Sequence, residues 1–311
     1  MAWIDHHDRR RATSLAVAAA ITAVLSCLPG CTQDGRGTAG ATTVPAPRAG
    51  GGQEMVERDP QVHVPRRERR VRPPAPARWQ PQPGSAWQWQ LSGELDLSLD
   101  VPVYDVDWEV PRSVVDRLRA DGRRVICYVS VGTVESYRED ADSFPEVVRG
   151  EPLADWPDER WLDVRRLDLL AEPLLRRLDV CRAKGFDAVE PDNVDAYTNR
   201  SGFPLTAQDQ LRFNRWIARA AHERGLAVGL KNDVGQAAEL VDDFDFAVNE
   251  QCRRYEECDA LQPFVAAGKA VFHVEYGMTP EEFCAAPPLP GFSSMLKNVE
   301  LDAYRFTCPP A

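Results

Sequence analysis

The sequence predicts an α/β fold, a (β/α)8 TIM barrel, and three observations predict it. Eight short apolar runs, rich in β-branched or aromatic residues, lie between residues 101 and 299. Helix-like segments separate most of these runs. Eight β/α units in roughly 225 residues are typical of this barrel. A doubly wound sheet is the alternative, but no glycine-rich phosphate loop follows the first run.

The elements follow in order along the chain. Strands are predicted at 101–108, 123–132, 160–164, 186–193, 226–233, 245–252, 270–277 and 293–299. The stretch WQWQL at 87–91 is either an extra strand that seals the barrel bottom or the first strand itself. Helices are predicted at 111–121, 168–184, 205–225 and 256–267. The third helix is the clearest, because Thr206 suits an N-cap, Asp209 follows three residues later and Gly225 ends the pattern.

Composition divides the chain into three parts. Residues 1–31 hold an arginine run and a short apolar stretch, which predict a signal peptide. Its end, LPGC, resembles a bacterial lipobox with Cys31 as the lipidated residue; Cys27 is a second candidate, and a secretory signal with two incidental cysteines stays open. Residues 32–84 are rich in Gly, Pro, Ala, Thr and Arg and predict a disordered tether, and 85–311 form the folded domain. We therefore expect an extracellular protein, anchored at the cell surface or else secreted.

The charge of the chain is unevenly distributed. The net charge is −11, yet residues 1–78 hold 12 Lys/Arg against 7 Asp/Glu, so that residues 79–311 carry −16. An acidic body repels nucleic acid, whose phosphates need a basic surface. Such a body suits a cationic ligand or a neutral polymer. We expect no nucleic-acid partner, contact with a membrane only through a lipid anchor, and a monomer.

Cysteines indicate an oxidising compartment. Six follow the N-terminal pair, at positions 127, 181, 252, 258, 284 and 308. An even number in an exported chain favours disulfides. Cys252 and Cys258 flank a short loop that a bridge would close, Cys284–Cys308 would tie down the C-terminal tail, and Cys127–Cys181 is the third pair. A zinc site is the alternative, although no CxxC pair or spaced histidine cluster supports it.

Polar residues end every predicted strand. The carboxyl ends of barrel strands meet at one rim, where active sites are built. The residues at these ends are Asp105, Asp107, Tyr128, Ser130, Asp163, Asp192, Asn193, Lys231, Asn232, Asn249, Glu250, Glu275, Tyr276, Lys297 and Asn298. One polar residue after a strand is usually a solvated turn, but eight such ends at one rim predict a polar, acid-rich pocket.

The chemistry that suits this pocket is glycoside hydrolysis. Two carboxyl groups flank the scissile bond, one protonated and one ionised, and polar side chains hold the sugar hydroxyls. Metal-assisted chemistry competes, because Asp105, Asp107, Asp192 and Asp195 offer oxygen ligands. Lysines 231 and 297 disfavour a cation there, so no metal or cofactor is expected.

A serine hydrolase has little support in the sequence. There is no GxSxG motif, and two of the five histidines lie in the signal region. His222 is expected to be structural. His273 lies in the middle of a strand, where it faces either the core or the pocket.

Eight segments together resemble glycoside hydrolase family 114, the endo-α-1,4-polygalactosaminidase family. They are WQWQLSG, YDVDW, CYVSVGTVESYR, WPDERWLDVR, KGFDAVEPDNVDAY, GLKND, FAVNEQC and VFHVEY, and they cover about residues 85–308 in order. The resemblance implies a TIM barrel that cleaves α-1,4-linked galactosamine polymers internally. A de-acetylated galactosamine polymer is a polycation, which agrees with the acidic body.

The resemblance also implies the catalytic residues. The family's carboxylates fall in the PDN and NEQC segments, which here are Asp192 and Glu250. It implies retention through a covalent intermediate, with Asp192 as nucleophile and Glu250 as acid/base. The residues expected to bind the sugar are Gln90, Asp107, Tyr128, Asp163, Asn193, Asp195, Lys231, Asn232, Gln251, Glu275 and Tyr276.

Two other classes of function stay open. One is a surface carbohydrate-binding protein on an inactive barrel, against which the intact Asp192–Glu250 pair argues. The other is a metal-dependent polysaccharide deacetylase or hydrolase, which would lose activity on chelation.

Overall fold

The structure, a computed structural model, describes residues 78–309. Its strands are β1 (Trp87–Gln90), β2 (Val103–Asp107), β3 (Arg124–Ser130), β4 (Thr133–Glu135), β5 (Arg149–Pro152), β6 (Glu159–Leu162), β7 (Ala188–Asp192), β8 (Ala227–Lys231), β9 (Phe246–Glu250), β10 (Val271–Tyr276) and β11 (Phe292–Lys297). Its α-helices are α1 (Arg112–Ala120), α2 (Leu167–Lys184), α3 (Ala207–Glu223), α4 (Ala237–Leu240), α5 (Gln262–Ala266) and α6 (Pro280–Ala285). Thr206 caps α3 as predicted, in a reciprocal capping box with Asp209.

Eight of these strands form the predicted TIM barrel. The sheet runs in the order β1-β2-β3-β7-β8-β9-β10-β11, and every neighbouring pair is parallel. Side chains bridge the first and last strands: Trp87 Nε1 donates to Ser293 O at 2.8 Å, and Lys297 Nζ to Gln88 Oε1 at 3.3 Å. The WQWQL stretch therefore supplies the first barrel strand.

The run at 160–164 was wrongly predicted to be a barrel strand. Its strand, β6, pairs antiparallel with β4 and β5 in a separate three-stranded sheet between β3 and α2. A short apolar run shows that a segment is extended and buried, but it does not show its partner. Strand β1 takes the vacant place in the ring, so Asp192 still ends the fourth barrel strand and Glu250 the sixth.

Alternation along the strands builds the barrel interior. Ala188, Ala227 and Phe246 belong to one buried apolar cluster that also holds Trp87 and Trp89. Because successive side chains point to opposite faces, the residues four places further along these three strands share that inward face. They are Asp192, Lys231 and Glu250. The same inward-facing side of these strands therefore carries apolar residues at the barrel floor and charged residues at the mouth.

The segment before β1 contacts the barrel floor. Arg78 lies 3.7 Å from Asp245, and the ring of Trp79 packs against Phe246 at 6.2 Å between centroids. The predicted signal peptide, Cys27, Cys31 and most of the predicted tether lie outside the described residues. Their boundaries remain predictions. Within residues 78–309, no helix has the length and apolar character to cross a membrane.

The three predicted disulfides are present. Cys127–Cys181 joins β3 to α2, Cys252–Cys258 closes the loop after β9, and Cys284–Cys308 ties α6 to the C-terminal tail. They close loops of very different length, with separations of 54, 6 and 24 residues respectively. A longer closed loop removes more entropy from the unfolded chain.

Removing the bridges should therefore destabilise the fold unequally. We expect Cys127→Ala/Cys181→Ala to lower the free energy of unfolding by about 4 kcal/mol and Cys252→Ala/Cys258→Ala by about 2 kcal/mol. Urea unfolding in non-reducing buffer measures both values. Equal losses from the two variants would contradict the loop-length account.

Candidate active site

A single ammonium group occupies the centre of the barrel mouth. Lys231 Nζ lies 2.9 Å from Asp192 Oδ1, 3.1 Å from Glu250 Oε2 and 3.3 Å from Glu190 Oε1. It also lies 4.7 Å from the centroid of the Trp89 ring, a cation–π contact. Burial opposes the charge of the lysine, but the three carboxylates outweigh burial and raise the pKa of Lys231 well above its usual value.

Asp192 is held by donors on both oxygens. Lys231 donates to Oδ1, and the hydroxyl of Tyr128 donates to Oδ2 at 2.8 Å. The backbone N–H of Asn193 also donates to Oδ1, at 2.8 Å. The carboxylate is therefore fixed in one orientation, with 15% of its side chain exposed.

Glu250 is held in a similar way from the other side of the lysine. The hydroxyl of Tyr276 donates to Oε1 at 2.6 Å, and Asn232 Nδ2 donates to Oε2 at 3.1 Å. Asn232 also accepts the backbone N–H of Glu250, at 2.9 Å, so one amide side chain fixes both the main chain and the carboxylate. The side chain of Glu250 is 26% exposed, more than that of Asp192.

The shared lysine limits how far apart the two carboxylates can be. The contacts of 2.9 Å to Asp192 and 3.1 Å to Glu250 meet at one nitrogen atom. Their nearest oxygens are therefore separated by about 6 Å at most.

The backbone turns sharply after each of these three residues. Asn193, Asn232 and Gln251 directly follow Asp192, Lys231 and Glu250, and their φ angles are +62°, +48° and +60°. A residue with a side chain rarely adopts this left-handed conformation, which costs about 1–3 kcal/mol, although asparagine tolerates it best. The turns end β7, β8 and β9 abruptly and leave the three charged side chains at the mouth.

A buried pair of carboxyl groups lies below the lysine. Asp105 and Glu190 are both fully buried, and they lie close enough for each to affect the pKa of the other. Burial, and then the charge of Glu190, raise the pKa of Asp105 well above its usual value. Burial raises the pKa of Glu190 to about 7, against the attraction of Lys231. Glu190 is therefore partly protonated near neutral pH.

The structure gathers most of the predicted sugar-binding residues at the mouth. Tyr128, Asn193, Lys231, Asn232 and Tyr276 all hydrogen-bond Asp192 or Glu250. Two further predicted residues lie close by. Gln251 and Tyr276 line one cavity, and Asp195 is close enough to Asp192 for that charge to act with burial in raising the pKa of Asp195 to about 6.

Four predicted sugar-binding residues have other partners in the structure. Gln90 uses its amide to tie down residues 92–96, and both oxygens of Asp107 are bound by Arg138. Asp163 follows β6 outside the barrel and forms a bidentate pair with Arg165. Glu275 alternates with the inward-facing Tyr276 and instead bonds His273. Their part in sugar binding remains a prediction.

Three residues of the site were not among the predicted sugar-binding residues, although Asp105 was predicted to lie at the rim. They are Trp89, Asp105 and Glu190. Each lies one or two residues before the end of its strand. Each is also an even number of residues from an inward-facing floor residue, so it points into the barrel. Counting inward positions back from Asp192 would have found Glu190, whereas Trp89 required β1 to be recognised as a barrel strand.

His222 and His273 have structural partners, and the cysteines of the alternative zinc site form a disulfide. His222 Nε2 contacts Asp245 Oδ2 at 2.9 Å, and His273 is fully buried between Glu275 and Ser294. Cys252, Cys258 and His273 place possible ligand atoms within 4.8 Å of one another, but the two cysteines are joined in a disulfide.

Comparison with known proteins identifies the family. The sequence profile of Glycoside-hydrolase family GH114 matches residues 68–310. The chain belongs to glycoside hydrolase family 114. The resemblance found in the sequence is thereby confirmed.

Three relatives extend the comparison. Aspergillus fumigatus Ega3, in complex with galactosamine, is 38% identical, has a TM-score of 0.71, and matches over 75% of this chain and 98% of its own. The PelA glycoside hydrolase domain of Pseudomonas aeruginosa shares the fold, at 16% identity and a TM-score of 0.56 over 71% of this chain and 98% of its own. An uncharacterized Deinococcus radiodurans protein is 30% identical over 190 residues, 53% of this chain and 59% of that protein.

The buried carboxyl pair predicts a pH effect on stability. In the folded protein the pKa of Glu190 rises from 4.5 to about 7, so the folded state holds this proton more tightly than the unfolded chain. The stability gained from that proton is full below about pH 4.5 and is lost as the pH rises to about 7. Glu190→Gln removes this loss. Its free energy of unfolding should therefore fall less between about pH 4.5 and 7 than that of the wild type, by up to roughly 3 kcal/mol.

Urea unfolding at several pH values tests this, and the slope rather than the absolute stability is the readout. Glu172→Gln is the matched control, because the side chain of Glu172 on α2 is 84% exposed. If the free energy of unfolding changed with pH in the same way for Glu190→Gln and the wild type, the raised pKa of Glu190 would be refuted.

Proposed function

We propose that this chain is an exported glycoside hydrolase that cleaves α-1,4-linked galactosamine-containing polysaccharide internally and with retention of configuration. The observation that carries the proposal is the placement of Asp192 and Glu250 on either side of one lysine ammonium, at the mouth of a family 114 barrel. Internal cleavage and the α-1,4 linkage follow from the activity of that family.

The surroundings of the two carboxylates support different roles. Asp192 suits the nucleophile, because Lys231 and Tyr128 stabilise its ionised form and aim it into the mouth. Glu250 suits the acid/base. It is the more exposed of the two, and its partner Tyr276 carries a hydroxyl that can donate or accept a hydrogen bond. That contact can therefore persist whether Glu250 is protonated or ionised.

The reaction then proceeds in two steps. Glu250 donates a proton to the glycosidic oxygen while Asp192 attacks the anomeric carbon. The carbon–oxygen bond to the leaving sugar breaks, and an ester to Asp192 forms. In the second step Glu250 takes a proton from water, whose oxygen attacks the same carbon and releases Asp192. The family's retaining mechanism supports this course over inversion.

The charge of the mouth supports a cationic substrate. Asp192, Glu250 and, above neutral pH, Glu190 surround one balancing cation, Lys231. The excess of carboxylate charge attracts the ammonium group of galactosamine. The related Ega3 structure contains galactosamine, which agrees with this substrate class.

Export is supported by the three disulfides, because such bonds persist in oxidising compartments. We further propose that Cys31, or alternatively Cys27, carries a lipid anchor. The enzyme would then act as a monomer at the cell surface on a polymer outside the cell.

Removing either carboxylate should abolish measurable cleavage without unfolding the protein. We expect Asp192→Asn and Glu250→Gln each to lower kcat on poly-galactosamine by roughly 10²- to 10⁴-fold or more. Azide should restore turnover of Glu250→Gln on an activated aryl glycoside, because azide attacks the covalent intermediate without a base. Oligomer release and circular dichroism provide the measurements.

A matched control for both variants is Asp168→Asn, since the side chain of Asp168 on α2 is 62% exposed. It should keep wild-type activity. Near-normal cleavage by Asp192→Asn would disprove the proposed mechanism.

Turnover of the cationic polymer should also depend on salt. The attraction between the carboxylate-rich mouth and the ammonium groups is screened as the Debye length shortens from about 10 Å at 0.1 M to about 3 Å at 1 M salt. We expect kcat/KM on de-acetylated polymer to fall several-fold over this range. Fully N-acetylated polymer should show little change, and faster, salt-independent cleavage of that polymer would argue against a cationic substrate.

A further inference from the structure

A cavity of about 520 Å³ lies beside Glu250, away from Asp192. It is formed by the segments that follow β9, β10 and β11, and Gln251, Tyr255, Tyr276 and Lys297 are among its lining residues. Asp192 ends β7, on the opposite side of Glu250 in the strand order. The cavity therefore extends the mouth in one direction along the rim.

The cavity shares a wall with the acid/base. The ring of Tyr276 lines it, while the hydroxyl of the same residue donates to Glu250 Oε1 at 2.6 Å. Gln251, the residue after Glu250, lines it as well. An acid/base carboxyl protonates the oxygen of the departing sugar, so that sugar lies on the acid/base side of the cleaved bond. The cavity is on that side.

Exposed apolar side chains at the cavity provide a surface for a sugar ring. Tyr255 is 61% exposed and Val299 is 54% exposed, which is unusual for large apolar residues in this barrel. Exposed apolar groups next to polar ones often mark a binding groove. One face of a pyranose ring consists mainly of C–H groups, which pack against an aromatic ring. Tyr255 can therefore act as a platform for a sugar unit.

The charge of the cavity differs from that of the mouth. Arg254 and Lys297 line it, against one carboxylate, Glu300. Lys297 is almost fully buried and donates to the backbone oxygen of Asp302 at 2.7 Å. Burial lowers the pKa of Lys297 to about 7, so the lysine is partly charged near neutral pH. A further ammonium group would meet these cations, whereas a neutral sugar would not.

We propose that this cavity binds the sugar unit on the leaving-group side of the cleaved bond, and that it favours a neutral, N-acetylated unit over a cationic one. The proposal rests on the proposed function. It implies that the enzyme prefers partly acetylated polymer, with a free amine on the glycosyl side of the cut and an acetamide on the other side.

The platform is tested with Tyr255→Ala and two substrates. One is an α-1,4-galactosamine hexamer, and the other is α-galactosaminyl fluoride, whose leaving group occupies no sugar site. We expect Tyr255→Ala to lower kcat/KM on the hexamer about tenfold and to hydrolyse the fluoride at the wild-type rate. Tyr304→Ala is the matched control, because Tyr304 is another exposed tyrosine and does not line the cavity.

The outcomes separate the two proposals. If the wild type cleaves neither substrate, the proposed function fails. If the wild type cleaves both, and Tyr255→Ala matches Tyr304→Ala on both, the leaving-group site fails. Equal slowing of both substrates by Tyr255→Ala would also overturn it, because the effect would then lie on the glycosyl side or in the fold.

The preference for a neutral unit is tested with two defined hexamers, which differ only in one N-acetyl group on the reducing side of the cut. We expect the acetylated hexamer to have the higher kcat/KM, by about fivefold, and Arg254→Gln to reduce this preference. Arg176→Gln, a change at an exposed arginine of α2, should keep it. Equal rates, or faster cleavage of the fully cationic hexamer, would overturn the preference.

Discussion

The active site depends on the contact of one buried lysine with three carboxylates. An ammonium group loses its hydration when it is buried at the barrel mouth, and only close, well-placed anions can compensate for that loss. Asp192, Glu250 and Glu190 do so for Lys231, each within 3.3 Å. The same contacts hold Asp192 and Glu250 close together despite their like charges. The lysine thus sets both the spacing and the orientation of the two carboxylates that we propose to be catalytic.

This arrangement follows from the alternation of side chains along the strands of a parallel barrel. Inward positions on β7, β8 and β9 carry small or apolar residues at the floor and charged residues at the mouth. A left-handed residue after each charged side chain then turns the backbone away, at an energetic cost. The strain, the buried carboxyl pair and the lysine all lie within one small region, as expected where function rather than stability determines the residues.

The sequence predicted most of this because the strongest signals are local. Apolar runs, the Thr206 capping box and the polar residues at the strand ends all depend on neighbouring residues. The misplaced strand at 160–164 came from long-range pairing, and the role of the WQWQL stretch stayed open for the same reason, because the two runs look alike until their partners are known. Side-chain direction was the second open point. Glu275 and Tyr276 are adjacent in sequence, yet only Tyr276 faces the mouth. Which of the two side chains points inward depends on the register of their strand in the barrel, and the sequence alone does not give that register.

The distribution of charge along the rim relates the site to its polymer. Around Asp192 and Glu250 there is more carboxylate than cation, so a galactosamine ammonium group can replace water there at little electrostatic cost. In the cavity beyond Glu250, Arg254 and the partly charged Lys297 slightly outweigh the one lining carboxylate, Glu300. A uniformly cationic polymer would gain binding energy beside Asp192 and Glu250 and lose binding energy in the cavity. A chain with mixed acetylation can match both, because acetylation removes the charge of a sugar unit while leaving its ring and most of its hydroxyls in place. The two sides of the cut can therefore select different units of the same polymer, a discrimination that net charge alone does not provide.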